Sequence, residues 1–343
     1  MRTILLACLG MLTINTVASG AELSADLPYE SPGSTEAFLD VYRPDDGLLA
    51  GVPTILFIHG GAWYAGDKTE APELLNGLAD AGYGVVSGNY TRSSPEHSSY
   101  PQVIHDIKAI IRWIRTEGAT LGLSPTIIAT GPSAGGHLSQ MMLTSNGVEI
   151  FEPLAPPIRG YQIQAAVPFW GLSDLVEQAE SMGSSGPLAW FLGDHYHSES
   201  ADLYAEASPI TWASADDGPV HQVHGLTDPL HPWRQSHFLH KRMLDLDVPS
   251  EVMYFNGGHG FDELGGQNIA VQILLENIPE LLASGRTADL NWDDSVDVAD
   301  LMSLIDSWGT CPDLPIDCPA DLDADGSVGV NDLLFLLRHY NPA

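Results

Sequence analysis

Basic residues are scarce in this sequence of 343 residues, which carries 13 Lys and Arg against 45 Asp and Glu and a formal net charge of −32. Nucleic acids and anionic membrane surfaces both bind clustered cations, so neither is an expected partner. The acidic surplus instead indicates a solvated surface. Salt would screen the repulsion between its negative charges.

Cysteine is also scarce, and long apolar segments are missing. Residues 1–20 form a short apolar run behind one early arginine and end in small residues, which predicts a secretory signal peptide. No other segment is long and apolar enough to cross a bilayer. Removal of the signal peptide leaves Cys311 and Cys318, and an oxidising compartment predicts a disulfide between them. We therefore expect a secreted protein without a membrane span.

Residues 22–283 alternate short buried runs with helical patterns. Six runs rich in apolar and β-branched residues predict parallel strands, and the periodicity between them predicts crossover helices. The runs begin at Thr54, Gly82, Thr126, Ala165, Val220 and Ser250. This alternation predicts an α/β fold with a mostly parallel central sheet flanked by helices. Residues 174–212 interrupt it with Gly, Ser and aromatic side chains, and we interpret them as a loop-rich partial cap over a site.

A nucleophile motif follows the third of these runs. The sequence GPSAG at residues 131–135 fits G-x-S-x-G between a strand pattern and a helical pattern. Glycines are needed on both sides because the serine occupies a sharp turn, where neighbouring side chains would collide with the strand and the helix. Out of context such a motif is a simple turn, but its position between strand and helix favours Ser133 as a nucleophile.

Two later strand ends supply candidates for the base and the acid. A serine hydroxyl is a poor nucleophile until a base removes its proton, and an acid must hold that base. Asp228 and His259 follow the last two strands, in the chain order Ser, Asp, His. We therefore predict a catalytic triad of Ser133, Asp228 and His259. Asp174, which follows another strand, is the alternative acid.

The loop HGGAW after the first run predicts an oxyanion hole. A tetrahedral intermediate needs preorganised N–H donors, and glycines let the backbone approach the substrate closely. We predict that the donors are the backbone N–H groups of Gly60, Gly61 and Ala134. His59 precedes these glycines, and we interpret it as a brace for the loop.

The last 55 residues contain two copies of one pattern, 32 residues apart. Each copy has oxygen donors at the spacing of a calcium-binding loop, followed by a helical apolar pattern. The predicted ligands are Asp289, Asn291, Asp293, Ser295, Asp297 and Asp300 in the first loop and Asp321, Asp323, Asp325, Ser327 and Asp332 in the second. The sharp-turn position holds Gly326 in the second loop but Asp294 in the first. An acidic disordered tail is the alternative, although it leaves the repeated apolar residues unexplained.

Several motifs between about residues 38 and 265 together resemble a known family. LDVYRP, HGGAW, YPQVIHDIKAIIRWIR, GPSAGGH, HGLTDP and GGHGF resemble an α/β-hydrolase esterase of the hormone-sensitive-lipase-like group, in the branch that includes feruloyl and acetylxylan esterases. The resemblance implies carboxylester hydrolysis by Ser133, Asp228 and His259 without a cofactor. His231 departs from it, because such sequences usually carry valine there. We interpret His231 as exposed rather than as part of a pocket.

The C-terminal repeats resemble a type I dockerin, since no helical pattern precedes either loop. The resemblance implies a small all-α domain over residues 289–343 that holds two structural Ca²⁺ ions, follows a linker at 284–288 and binds a cohesin-type domain. We therefore predict a secreted serine carboxylesterase that removes acetyl or feruloyl groups from polysaccharides and is tethered through the dockerin. The alternatives are a prolyl-oligopeptidase-like exopeptidase, which shares the triad order, and a non-catalytic binding module.

Overall fold

One eight-stranded sheet organises residues 22–255 of the computed structural model, in the order β1-β2-β4-β3-β5-β6-β7-β8. The model describes residues 21–34, 36–45, 48, 53–152, 160–193, 197–284, 288–291, 296–311, 318, 320–322, 327–338 and 340. The strands are β1 (Glu22–Pro28), β2 (Phe38–Arg43), β3 (Thr54–Ile58), β4 (Gly84–Gly88), β5 (Ile127–Pro132), β6 (Ala165–Phe169), β7 (Val220–Gly225) and β8 (Ser250–Phe255). Strands β3 to β8 pair in parallel and are the six predicted strands.

Two antiparallel strands at one edge of the sheet were not predicted. Strand β2 pairs with β1 on one side and with β4 on the other. Strand β1 is mostly exposed, and its pairing register shifts between Ser24 and Leu27. Asp26 lies within that shift with a φ of 54°. An exposed, irregular edge strand leaves no alternating apolar pattern for the sequence to reveal.

Helices cover both faces of the sheet, as predicted. They are α1 (Pro72–Asp80), α2 (Gln102–Thr116), α3 (Ala134–Thr144), α8 (Arg234–Asp245), the short α9 (Phe261–Leu264) and α10 (Gln267–Ser284). Leu78 of α1 and Leu274 of α10 belong to one buried cluster, whereas Ile107 of α2, Leu138 of α3 and Leu239 of α8 belong to another. The sheet is therefore the middle of three layers. No helix among the described residues is long and apolar enough to cross a membrane.

Residues 174–212 contain four short helices, so the prediction of a loop-rich segment was wrong. They are α4 (Leu175–Met182), α5 (Pro187–Phe191), α6 (His197–Glu206) and α7 (Pro209–Trp212). Asp174 caps α4, because its carboxylate accepts the N–H of Glu177 at 3.0 Å. Helices of four to ten residues are too short to show a 3.6-residue period, so the glycines and serines between them dominated the pattern.

The C-terminal repeats form two equivalent helices, α11 (Val298–Asp306) and α12 (Val330–Arg338). Leu304 and Leu336, which are 32 residues apart, are both fully buried in one small apolar cluster. The two-residue strands β9 (Gly309–Thr310) and β10 (Ser327–Val328) pair antiparallel between the helices. The prediction of an all-α unit missed this pairing. Strands of two residues are too short to leave a strand pattern in the sequence. The sulfur atoms of Cys311 and Cys318 lie 2.09 Å apart, bonded as a disulfide.

Candidate active site

Three polar side chains meet at the carboxyl edge of the parallel strands. Nε2 of His259 lies 2.9 Å from Oγ of Ser133, and its Nδ1 lies 2.7 Å from Oδ2 of Asp228. Ser133 follows β5, Asp228 follows β7 and His259 follows β8, so the common strand direction brings them together. A carboxylate only accepts, so Nδ1 carries the proton in the neutral ring and Nε2 is left to accept one.

Ser133 occupies a strained turn that only its neighbours' small size permits. Its φ of 57° and ψ of −117° lie outside the regions that L-residues favour. A Cβ atom at Gly131 or Gly135 would lie 2.0 or 1.9 Å from the carbonyl oxygen of Ile58 in β3. The backbone N–H of Ser133 donates to the Phe169 carbonyl at 2.9 Å. Packing against β3 and β6 therefore holds the half-buried serine in this strained conformation at the strand end.

Asp228 is a buried carboxylate whose acceptor sites are filled by the chain. Its side chain is fully buried. Oδ1 accepts the backbone N–H of Leu230 at 2.8 Å and of His231 at 2.9 Å, while Oδ2 faces His259. Burial alone would raise the pKa of Asp228, but the hydrogen bonds from His259 and the backbone hold that pKa below its usual value. The carboxylate stays charged, oriented and able to stabilise an imidazolium.

The loop after β3 adjoins this group and takes an unusual backbone path. Gly61, Ala62 and Trp63 have consecutive positive φ angles of 102°, 49° and 63°. A Cβ atom at Gly61 would lie 2.2 Å from the Ala65 carbonyl oxygen, so no other residue fits there. Gly60 and Gly61 line a cavity of about 460 Å³ together with Ser133 and His259. Ala134, the first residue of α3, is buried next to Ser133.

Side chains behind the loop hold it in place. His59 stacks on Tyr90 with 4.1 Å between ring centroids, and burial lowers the pKa of His59 to about 4. Trp63 donates its Nε1–H to Nδ1 of His137 at 3.2 Å. Nε2 of His137 in turn donates to the carbonyl of Ala207 at 2.9 Å. These contacts link the loop to α3 and to the segment 174–212, which contains Ala207, and they fit the interpretation of His59 as a brace.

His231 lies inside the site, so the interpretation of it as exposed was wrong. Only 9% of its surface is exposed, and its ring centroid lies 4.7 Å from that of His259 at an interplanar angle of 81°. One feature of the sequence could have indicated this burial: His231 lies three residues after Asp228. It is therefore within reach of a carboxylate that hydrogen-bond donors must surround.

The structure describes seven of the eleven predicted calcium ligands. Asp293, Ser295, Asp323 and Asp325 lie outside the described residues. The described ligands are Asp289, Asn291, Asp297, Asp300, Asp321, Ser327 and Asp332.

Asp300 and Asp332 occupy equivalent places in the two C-terminal repeats. Asp300 accepts the N–H groups of Leu290 at 2.7 Å and Asp297 at 2.8 Å. Asp332 accepts those of Leu322 at 2.5 Å and Gly329 at 2.6 Å. These equivalent contacts indicate that both repeats fold around the same carboxylate position.

A parallel sheet that presents a strained serine, an imidazole and a carboxylate at its strand ends defines the class of α/β-hydrolases. The family model BD-FAE matches residues 39–243, which is more than half of the chain. The chain belongs to the BD-FAE family.

Several relatives of the chain are esterases. It is 32% identical over 259 residues to the probable carboxylic ester hydrolase LipM and 30% identical over 254 residues to the esterase LipQ, both from Mycobacterium tuberculosis; each match covers 71% of this chain. The chain spans 58% of the length of each of these two relatives.

Among solved structures, a truncated carbohydrate esterase from gut microbiota aligns with a TM-score of 0.68 at 25% identity, over 78% of this chain and 97% of that one. Thermogutta terrifontis esterase 2 aligns with a TM-score of 0.59 at 25% identity, over 77% and 94%. The prediction of an α/β-hydrolase of an esterase family is confirmed, while the feruloyl and acetylxylan branch and the dockerin remain predictions.

Proposed function

We propose that this protein is a secreted serine carboxylesterase that removes acetyl or feruloyl groups from polysaccharides and is tethered through its C-terminal repeats. One observation carries the reaction: the hydrogen-bonded series from Ser133 through His259 to Asp228, with separations of 2.9 and 2.7 Å. The similarity to a carbohydrate esterase supports a carbohydrate ester as the substrate. The acidic surface would suit a neutral or cationic substrate better than an anionic one.

Hydrolysis proceeds through an acyl-enzyme. Nε2 of His259 takes the Ser133 proton as Oγ attacks the ester carbonyl carbon, and the N–H groups of Gly60, Gly61 and Ala134 stabilise the resulting oxyanion. The tetrahedral intermediate collapses, the bond to the alcohol oxygen breaks, and His259 donates its proton to the leaving alcohol. Water activated by His259 then attacks the acyl group and releases the acid. Asp228 stays ionised throughout and stabilises the imidazolium.

Catalysis needs no cofactor in this scheme, because the chain itself supplies the nucleophile, the base and the oxyanion donors. The two Ca²⁺ ions are structural and belong to the C-terminal repeats. Their donor set fits the ion: Asp289, Asp300, Asp321 and Asp332 are at most 7% exposed, and Ca²⁺ prefers carboxylate and carbonyl oxygens. Burying several carboxylates together is costly without a neutralising charge. Ca²⁺ would hold the two loops and contribute nothing to ester cleavage.

The exposed faces of α11 and α12 support a protein partner. Apolar side chains that are 37–63% exposed recur at the same 32-residue spacing: Val298 and Val330, Met302 and Leu334, Ile305 and Leu337, Trp308 and Tyr340. Apolar residues that stay exposed at matching positions do not serve the small core, which contains Leu304 and Leu336 instead. Such a surface suits a partner of the cohesin type, which would bury it.

A fluorophosphonate probe and a substrate panel test this function. We expect the probe to modify Ser133, as mapped by mass spectrometry, and acetylxylan or methyl ferulate to be cleaved faster than triglyceride. Failure to label Ser133 would favour the non-catalytic module instead.

A peptidase is the second candidate, because the chain is 26% identical over 228 residues to dipeptidyl aminopeptidase BIII of Pseudoxanthomonas mexicana, of which it covers 31%. Preferential cleavage of an aminoacyl anilide in the same panel would select that alternative. Secretion is tested separately, by recovering the protein outside the cell without residues 1–20.

A further inference from the structure

His231 makes four contacts, and two of them come from its backbone. Its N–H donates to Oδ1 of Asp228 at 2.9 Å, and its carbonyl accepts Nε2–H of His224 at 2.9 Å. Any residue except proline, including the valine usual in similar sequences, would supply both bonds. They therefore hold the acid without explaining why this chain carries histidine here.

The side chain of His231 makes the other two contacts. Its Nδ1–H donates to the carbonyl oxygen of Trp170 at 2.8 Å, which fixes the tautomer, because a carbonyl only accepts. Its ring packs against that of His259, with centroids 4.7 Å apart. Trp170 also contacts His259, with ring centroids 6.0 Å apart, and it lines the same cavity as Ser133. The imidazole of His259 is thus packed by the rings of two residues, and the side chain of one is hydrogen-bonded to the backbone of the other.

Trp170 needs such a bond, because its backbone is strained. It follows β6 with a φ of 41°, in a region that tryptophan rarely adopts. Its N–H donates to the Val223 carbonyl at 2.7 Å, and the bond from His231 fixes its carbonyl oxygen. Loss of the His231 side chain would leave that oxygen without its partner and free the wall of the cavity to move.

We propose that His231 is a positioning residue: its side-chain bond to the Trp170 carbonyl fixes Trp170, and the rings of Trp170 and His231 together keep the base aligned with Ser133. The inference rests on the proposed function. Proton transfer from the serine and to the leaving alcohol requires the imidazole of His259 within a narrow range of orientations, and a packed ring restricts its rotation. His231 touches no reacting atom and acts only through His259 and Trp170.

The charge of His231 is compatible with this role. The titratable groups around it are Asp228, His224 and His259. Burial, with the positive charge of a protonated His259 as the next cause, lowers the pKa of His231 to about 3. His231 is therefore a neutral ring near neutral pH, and it adds no repulsion to the imidazolium that forms on His259 during the reaction.

Two substitutions separate the side-chain contacts from the backbone ones. His231→Val keeps both backbone bonds and removes the ring and the bond to Trp170. His231→Asn places an amide N–H where Nδ1–H stood and so restores the bond to Trp170. His237→Val is the matched control, because His237 is exposed on α8. The full-length protein is used in each case, and active sites are titrated with the fluorophosphonate probe so that kcat refers to competent molecules only.

We expect His231→Val to lower kcat per titrated site about tenfold, and the probe's labelling rate similarly, with KM changed less than about twofold. His231→Asn should recover a third or more of the lost kcat, and His237→Val should match the wild type. Unchanged kcat per titrated site in His231→Val, with only a lower Tm, would reduce His231 to a structural role and overturn the inference. Equal losses in the Val and Asn variants would also overturn it. If the probe does not label the wild-type protein, the result would instead contradict the proposed function.

Discussion

The catalytic region and the C-terminal repeats differ in the positive groups that surround their buried carboxylates. In the catalytic region, Asp228 is surrounded by His259 and two backbone N–H groups, and the buried Asp40 lies 2.7 Å from the ammonium of Lys68. From residue 289 onward the sequence has twelve acids and one base, Arg338. The first region neutralises these buried charges from within. For the second region, we propose that cations from solution supply most of the neutralising charge.

The largest expected effect is a loss of activity that leaves the C-terminal repeats unchanged. Ser133→Ala removes the nucleophile, and we expect kcat on 4-nitrophenyl acetate to fall by at least about a thousandfold. Calcium binding, measured by titration calorimetry, should match that of the wild type. Ser139→Ala, in which a buried serine of α3 is changed instead, is the control and should keep most of its activity. Full activity in Ser133→Ala would show that the assigned mechanism is wrong.

Removal of calcium should destabilise the C-terminal repeats and leave the catalytic region unchanged. We expect EDTA to unfold the C-terminal repeats, because their clustered carboxylates then repel one another, while kcat changes less than about twofold. Differential scanning calorimetry with and without Ca²⁺ measures this as the loss or downward shift of one transition. Asp332→Asn should weaken one site, whereas Asp306→Asn, at an exposed position of α11, should not. Loss of esterase activity with EDTA would contradict the independence of the two regions.

Acid should destabilise the catalytic region through its buried histidines. Burial lowers the pKa of His59, His137 and His221 to about 4, and of His231 to about 3. Their unfolded pKa is about 6.5, so the unfolded chain binds more protons below that pH. Stability is therefore complete above pH 6.5 and falls toward pH 4, by up to about 1.4 kcal/mol per pH unit for each histidine.

Calorimetry at pH 7, 6 and 5 measures that fall. His221→Gln should flatten the dependence by up to one histidine's share, whereas the exposed His237→Gln should leave it unchanged. A catalytic transition that is independent of pH over this range would mean that these histidines bind protons equally in the folded and unfolded protein, so that burial does not lower their pKa.

The smallest expected effect concerns Asp174, the alternative acid. It caps α4, so Asp174→Ala should lower the free energy of unfolding by about 1 kcal/mol and leave kcat within about twofold. Asp228→Ala should instead lower kcat by several orders of magnitude with little change in KM. Asp202→Ala, at an exposed position of α6, controls for the loss of a surface charge. A catalytic loss in Asp174→Ala equal to that in Asp228→Ala would reopen the assignment of the acid.

Much of the fold was predictable because strands β3 to β7 are buried almost throughout. Buried parallel strands are continuous apolar runs, which located these five. Strand β8 was located as well, although this edge strand is mostly exposed or half-buried rather than buried as predicted. Strand β1 was missed because it is an exposed edge strand. The four helices of residues 174–212 were missed because each is shorter than the pattern that reveals a helix. Strand order also predicted that Ser133, Asp228 and His259 would share one edge, which is where they lie.

The amino-acid sequence by itself determined several elements and their order: six parallel strands, a glycine-flanked serine between a strand and a helix, and an oxygen-rich loop repeated after 32 residues. These features depend on local composition and spacing, which the chain carries wherever it folds. Tertiary structure alone decided that Asp174 caps a helix while Asp228 faces His259, and that His231 turns inward to Trp170. The direction of each of those side chains depends on loops from separate strands packing together, and no local pattern records that packing.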